Sequence, residues 1–236
     1  YNLGGSQGID ASSYSNNELL NALGYGWQIS DGNVVPIIEP QTFTGEGTES
    51  SPYLIATATD WEKLAIYVVQ KDGRSSNYFQ MTDDISTSTM LGTINFLTFQ
   101  GDFDGAGHTL TFTKGTEDER YNQQVCAPFC QVRNATIHDL HTTGAIYTEN
   151  QMAAGIAGRT FETTSITDCS SSMVINSSKS GDGTHGGLVS NVTSGSLTVT
   201  SCAFAGKLLE AALTLAVDLL DEIEIGRAVQ QECRDR

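Results

Sequence analysis

Between Ala127 and Leu208 one run of residues is repeated three times in different words: APFCQVRNATIHDLHTTGAIYTE, AAGIAGRTFETTSITDCSSSMVINSS and HGGLVSNVTSGSLTVTSCAFAGKL. Each copy has an early apolar residue (Phe129, Ile156, Leu188), then a second apolar pair (Ile137 and Leu140; Ile166 and Cys169; Val199 and Cys202), then a third short run. From Ile137 to Ile166 is 29 positions, and from Ile166 to Val199 is 33. Periods of this size belong to stacked units, because one such unit cannot bury its own inward residues whereas a stack makes a continuous apolar column. The strands are short, rich in Thr, Val and Ile, and separated by Ser, Gly and Asn turns; Pro128 is the only proline within the copies. The expected fold is therefore all-β, a parallel β-helix or solenoid.

What precedes the repeats differs in kind. Residues 1–46 read as the end of a preceding unit and a linker. In them Asn16 or Asn17 can cap a short helix carrying Leu19, Leu20 and Leu23, and Gly24 ends it. A hairpin is then expected around Asp31-Gly32-Asn33. Residues 47–206 form the expected capped β-helix domain. Tyr53 to Ile55 is a strand, and Thr59-Asp60-Trp61-Glu62 has the form of a capping box. Trp61, Leu64, Ala65 and Val68 share one face of the following helix, an N-terminal α-helical cap for the open end of the stack. Further on, Gly105 and Gly107 are expected to supply positive φ at a corner between two strands.

Residues 207–236 break the pattern, with 11 charged residues against 29 in all the rest of the chain. Leu209, Leu213, Ala216, Leu220 and Ile223 keep 3 and 4 spacing, which predicts a C-terminal amphipathic helix: a cap, an oligomer seam or a tail foreign to the domain.

The formal net charge of −16 argues against nucleic acid and anionic membrane surfaces as partners, since both need a basic footprint. The five cysteines give neither zinc spacing nor an even disulfide framework, so Cys169 and Cys202 read as small apolar residues stacked inside the coil. No run of 18 apolar residues occurs, so no membrane-inserted span is expected. Tyr1 reads as the start of a fragment or mature piece.

One combination of motifs resembles a known family. Gly186-Gly187-Leu188-Val189, Gly195-Ser196-Leu197, Ser201-Cys202 and Gly206 are similar to the GLUG-motif repeat of bacterial cell-surface proteins. Upstream, Gly47-Thr48, Ser51 to Ile55, Trp61 to Ala65, and Phe103-Asp104-Gly105 with Gly107 to Leu110 resemble the cap and first turns of the same domains. The resemblance covers roughly residues 45–208. It departs at Ser190, where the motif's last Gly is usual, and at Gly155-Ile156-Ala157-Gly158 in the middle copy. It implies a right-handed β-helix on a secreted or surface-anchored, adhesin-like protein of bacteria, and it does not imply a catalytic activity.

Candidate chemistry is sparse. Asp102-Phe103-Asp104-Gly105-Ala106-Gly107-His108 invites a calcium reading, but Ala106 occupies a position where a ligand is wanted, so a corner capped by Asp side chains is expected instead. His185 lies in a Gly-His-Gly-like context, far in sequence from the adjacent pair Asp83-Asp84. Arg133, Arg159 and Lys179 read as solvated loop charges, and the sequons at Asn134, Asn176 and Asn191 as chance. Tyr67, Tyr78, Tyr121 and Tyr147 are candidate sugar platforms. No catalytic, cofactor-binding or metal residue is assigned and no cofactor is expected. The expected function is a non-catalytic secreted or cell-surface stalk or adhesive module, its partner a glycan or host surface protein. The rival is a carbohydrate-active enzyme on the same fold, a polysaccharide lyase or glycoside hydrolase. Two carboxylates, or a carboxylate and His185, converging in a groove within about 10 Å would favour that rival.

Overall fold

The computed structural model describes residues 15–23, 26–71, 77–92, 97–149, 152–179 and 184–210. A short helix, α1 (Asn16–Leu23), opens it. Its cap is Ser15 rather than either asparagine: Glu18 N–H donates to Ser15 Oγ at 3.3 Å, and Ser15 N–H donates to Glu18 Oε2 at 2.7 Å. Ser15 with Glu18 makes the reciprocal S-x-x-E box, which satisfies two backbone donors where one Asn would satisfy one. Next, β1 (Trp27–Ser30) and β2 (Asn33–Pro36) pair antiparallel across Asp31 and Gly32, both at positive φ, as a two-residue hairpin requires.

The remaining strands coil. The first coils contribute β3 (Tyr53–Ile55), helix α2 (Ala58–Gln70), β4 (Asn77–Met81) and β5 (Ile85–Thr87), then β6 (Phe99–Asp104), β7 (Thr109–Lys114) and β8 (Val125–Cys126). The repeats follow as β9 (Phe129–His138), β10 (His141–Thr148) and β11 (Met152–Ala154). After them come β12 (Ala157–Phe161), β13 (Thr163–Thr167), β14 (Ser170–Ser171), β15 (Val174–Ser177) and β16 (Thr184–Gly186). Last are β17 (Val189–Val192), β18 (Ser196–Thr200), β19 (Ala203–Phe204) and β20 (Lys207–Glu210).

Three parallel sheets run along the stack. The first is built from β3, β4, β6, β9, β12 with β13, and β17 with β18; the second from β5, β7, β10, β14 with β15, and β19 with β20; the third from β8, β11 and β16. This is a β-solenoid with three coils that touch all three sheets. The repeat spacing sets the register: Ile137 pairs with Ile166, and Ile166 with Val199. Upstream the same column continues through Phe103 and Phe79, which carry no repeat signature of their own. Phe79, Phe103, Ile137 and Ile166 are fully buried, while Val199, on the last described coil, is 41 % exposed. Apolar burial at about 25 cal/mol per Å² along this column is the main stabilising term.

Cys169 and Cys202 stack as the sequence predicts. Both thiols are free, and Cys169 N–H lies 3.4 Å from Cys202 Sγ.

Helix α2 starts two residues earlier than the expected box. Thr57 is its N-cap: Thr57 Oγ1 accepts from Asp60 N–H at 3.1 Å, and Asp60 Oδ2 accepts from Thr57 N–H at 3.1 Å. Asp60, not Glu62, closes the box. Trp61, Leu64, Ala65 and Val68 are buried together, and Trp61 stands edge-on to Phe103 and Phe129 with both centroids at 5.6 Å. Phe43 packs on Tyr53 and Phe79, so residues before 47 also touch the coil.

At the other end, Lys207–Glu210 is strand, pairing parallel with β15 from Lys207↔Val174 to Glu210↔Ser177. The expected helical tail therefore does not begin at Lys207: these residues still follow the coil register, and ladder pairing outweighs the 3 and 4 periodicity there. The rest of that tail lies outside the described residues. Among the described residues no helix is long and apolar enough to cross a membrane.

Candidate functional site

Alternation along a strand sends every second side chain outward. On the first sheet, the outward neighbours of the apolar column form two polar columns. One holds Tyr78, Asp102, Thr136, Ser165 and Thr198; the other holds Gln80, Asp104, His138, Thr167 and Thr200. Their later coils are hydroxyls. Their early coils carry ionisable groups, and there the surface dips into a groove of about 220 Å³ lined by Glu49, Tyr78, Gln80, Asp102, Asp104 and His138.

Among the lining residues, His138 makes the most contacts with acidic groups. Its Nε2 lies 3.0 Å from Asp102 Oδ1; its Nδ1 lies 2.8 Å from Asp139 Oδ2 and 3.6 Å from Asp104 Oδ1. Burial works against the charged ring, but hydrogen bonds to Asp139 and Asp102 and the charges of Asp102 and Asp104 outweigh it, so the His138 pKa is raised. Asp104 is fixed on both oxygens: Ala106 N–H donates to Oδ1 and Gln80 Nε2 donates to Oδ2, each at 2.7 Å. The first of these bonds is the Asp-capped corner expected from the sequence.

The corner's backbone differs from expectation. Positive φ falls on Ala106 (49°) and Gly107 (78°), not on Gly105. Gly105 is needed for space: a Cβ there would meet Asp139 O and Leu140 Cα at 2.5 Å. Asp139 itself, with Asp168 and Ser201, occupies a left-handed corner at φ near 50° (50°, 52° and 53°) on three successive coils.

The other candidates disperse. Asp84 Oδ1 accepts from Thr109 N–H at 2.8 Å and lies 3.4 Å from His108 Nδ1, next to the second sheet. His185 is on β16 of the third sheet, paired with Ala153, so it does not join the Asp83-Asp84 pair. Arg133 and Arg159 are strand residues rather than loop charges. Arg133 pairs with Glu162 and covers the Phe161 ring, while Arg159 Nε lies 3.1 Å from Met152 Sδ. Lys179 follows β15. Of the sequons, Asn134 caps a corner by accepting from Thr163 N–H, Asn176 is held by Arg120, and Asn191 accepts from Thr193 Oγ1.

Among the tyrosines, Tyr67 is buried on α2 with its hydroxyl donating to Asn77 Oδ1 at 2.8 Å, which removes it as a platform. Tyr147 belongs to β10 and Arg120 stands over its ring; Lys114 stands over Tyr121. Tyr78 is the candidate ring in the groove. Sequence reading missed His138 and Asp139. For His138 the signal was parity: Ile137 points inward, so His138 must point outward, in register with Asp104, whereas Asp139 sits at a left-handed corner that parity does not foresee.

Compared with known proteins, the chain matches no family model, no curated protein and no solved structure.

Proposed function

We propose that this chain is a non-catalytic β-solenoid module of a secreted or cell-surface bacterial protein, of the GLUG-repeat kind. On this reading it is a right-handed coil capped at its N-terminal end by α2. It serves as a stalk whose first sheet offers an adhesive face to a glycan or host surface protein. The observation that carries the reading is the pair of outward polar columns, rigidly spaced by parallel pairing and ending beside Tyr78 in the groove. Regular hydroxyls and carboxylates next to a ring are the groups that bond and stack on sugars. A glycan array probed with the intact chain tests this. A hit weakened at least tenfold by Tyr78→Ala supports it, and no binding to any glycan removes the glycan reading and leaves a spacer.

A second reading, a polysaccharide-cleaving enzyme, rests on Asp102 and Asp104. Two residues apart on one face of β6, their Cα atoms are about 6.6 Å apart along the strand, which lets their carboxyl groups approach the roughly 6.5–9.5 Å spacing of inverting hydrolysis. Against it, the His138 ring sits between them and bonds Asp102, filling the space that substrate and water would need. A reducing-end assay on acidic and neutral polysaccharides, with Asp102→Asn and Asp104→Asn, separates the two readings. Release of ends that either variant abolishes favours the enzyme.

A further inference from the structure

We propose that Asp104, His138 and Asp139 form a binding site for a first-row divalent cation, zinc being the best match, with Asp102 as the group that orients the histidine. Among the described residues, these three place one ligand atom each within 4.8 Å of one another. A cation about 2.1 Å from each ligand atom puts ligand pairs about 3.0 Å apart in octahedral and about 3.4 Å apart in tetrahedral geometry. The observed separations from His138 Nδ1, 2.8 Å to Asp139 Oδ2 and 3.6 Å to Asp104 Oδ1, bracket those values.

What distinguishes the group from a surface acidic cluster is the arrangement behind it. A ligating histidine donates its other N–H to a carboxylate, which fixes tautomer and ring plane. His138 Nε2 faces Asp102 at 3.0 Å, leaving Nδ1 aimed at the two other carboxylates. Asp104 is likewise held by Gln80 and Ala106 before any ion arrives. The donor set is one imidazole nitrogen and two carboxylates, which suits zinc, manganese, cobalt or nickel better than calcium or magnesium, whose sites are built from oxygen alone. Three carboxylates around one imidazole leave negative charge for a dication to offset, and Glu49 adds to it across the groove. Asp139 is about half exposed, so a bound ion keeps positions open to water or to a ligand's hydroxyls. The site stands whether or not the face binds glycans.

The test is titration of the full chain, free of any affinity tag and carrying Cys233→Ser to remove a competing thiol, with zinc, manganese and calcium chlorides near pH 7.5. One zinc per chain is expected, with calcium at least tenfold weaker. His138→Ala and Asp139→Asn should each weaken zinc by about a hundredfold, and Asp102→Asn by about 10–100-fold. His108→Ala, a histidine beside a different aspartate, should leave binding unchanged. Circular dichroism establishes that each variant is folded. Nitrogen-15 NMR supplies an independent readout, since zinc should shift Nδ1 of His138. Absence of zinc binding, zinc binding unchanged by His138→Ala, or binding that leaves Nδ1 unmoved would each overturn the site.

Discussion

Two glycines show how much a single position of this coil is constrained. Gly107 has φ 78° and open space around it: a Cβ would meet nothing within 4 Å. Gly144 has φ 113°, lies within β10 opposite Phe112, and a Cβ there would come within 2.1 Å of the Phe112 carbonyl oxygen. Gly107→Ala therefore costs only the left-handed penalty, about 1–2 kcal/mol. Gly144→Ala must also push β7 and β10 apart, adding about 1–3 kcal/mol. Guanidinium unfolding followed by circular dichroism checks this, and equal losses for the two variants would contradict it. Legibility at this scale was uneven. The left-handed corners recur at the repeat spacing as Asp139, Asp168 and Ser201, residue types that announce turns. The neighbouring corner does not announce itself: Glu162 stands there between Asn134 and Gly195, held in place by its coil neighbours rather than by any preference of glutamate.

Among the elements, helix α2 offers a direct comparison of two overlapping caps. Thr59 fits the S/T-x-x-E pattern with Glu62, and Thr57 fits it only if Asp replaces Glu. The shorter Asp60 side chain nevertheless reaches Thr57 N–H, Thr57 Oγ1 and, at 3.3 Å, Ala56 N–H. Thr57→Ala should cost about 0.5–2 kcal/mol, whereas Thr59→Ala, at an exposed position, should change stability by less than about 0.5 kcal/mol. The same box gives a pH dependence. Burial opposes the Asp60 charge, yet the hydrogen bonds from Thr57, Lys63 and Ala56, with the Lys63 charge, lower its pKa. A lowered folded pKa means that this stabilisation is fully present above the ordinary Asp value near 4 and is lost as pH falls through the folded value. The stability difference between the native chain and Asp60→Asn should therefore shrink in that acid range. A difference that stays constant down to pH 2 would show that the carboxylate contributes nothing. The helix and its buried face were legible from periodicity; the cap residue was not, because two frames competed locally and only geometry chose between them.

For the whole molecule, the coil was legible because its period is written three times, and the groove was not because it depends on contacts across coils. Asp102 and His138 are 36 residues apart, and only the β6 to β9 register makes them neighbours. A solenoid built this way is quasi-one-dimensional, each coil held by the coils above and below, so loss of structure should start at an end. The cysteines sample that axis. Cys202 is on the last described coil and half-buried, Cys169 is one coil in, and Cys126 and Cys130 are buried deeper in the stack. Burial raises the thiol pKa of Cys130 and Cys169 to about 12 and raises that of Cys126 as well. The Cys126, Cys130 and Cys169 thiols are thus protonated at pH 8 as well as buried, so their alkylation by iodoacetamide reports opening of the coil. In a rising denaturant series read by mass spectrometry, Cys202 should be modified first, Cys169 next, and Cys126 with Cys130 last. If all four became reactive at one denaturant concentration, unfolding would be a single cooperative event. The neighbour-by-neighbour picture of the stack would then fail even though its register holds.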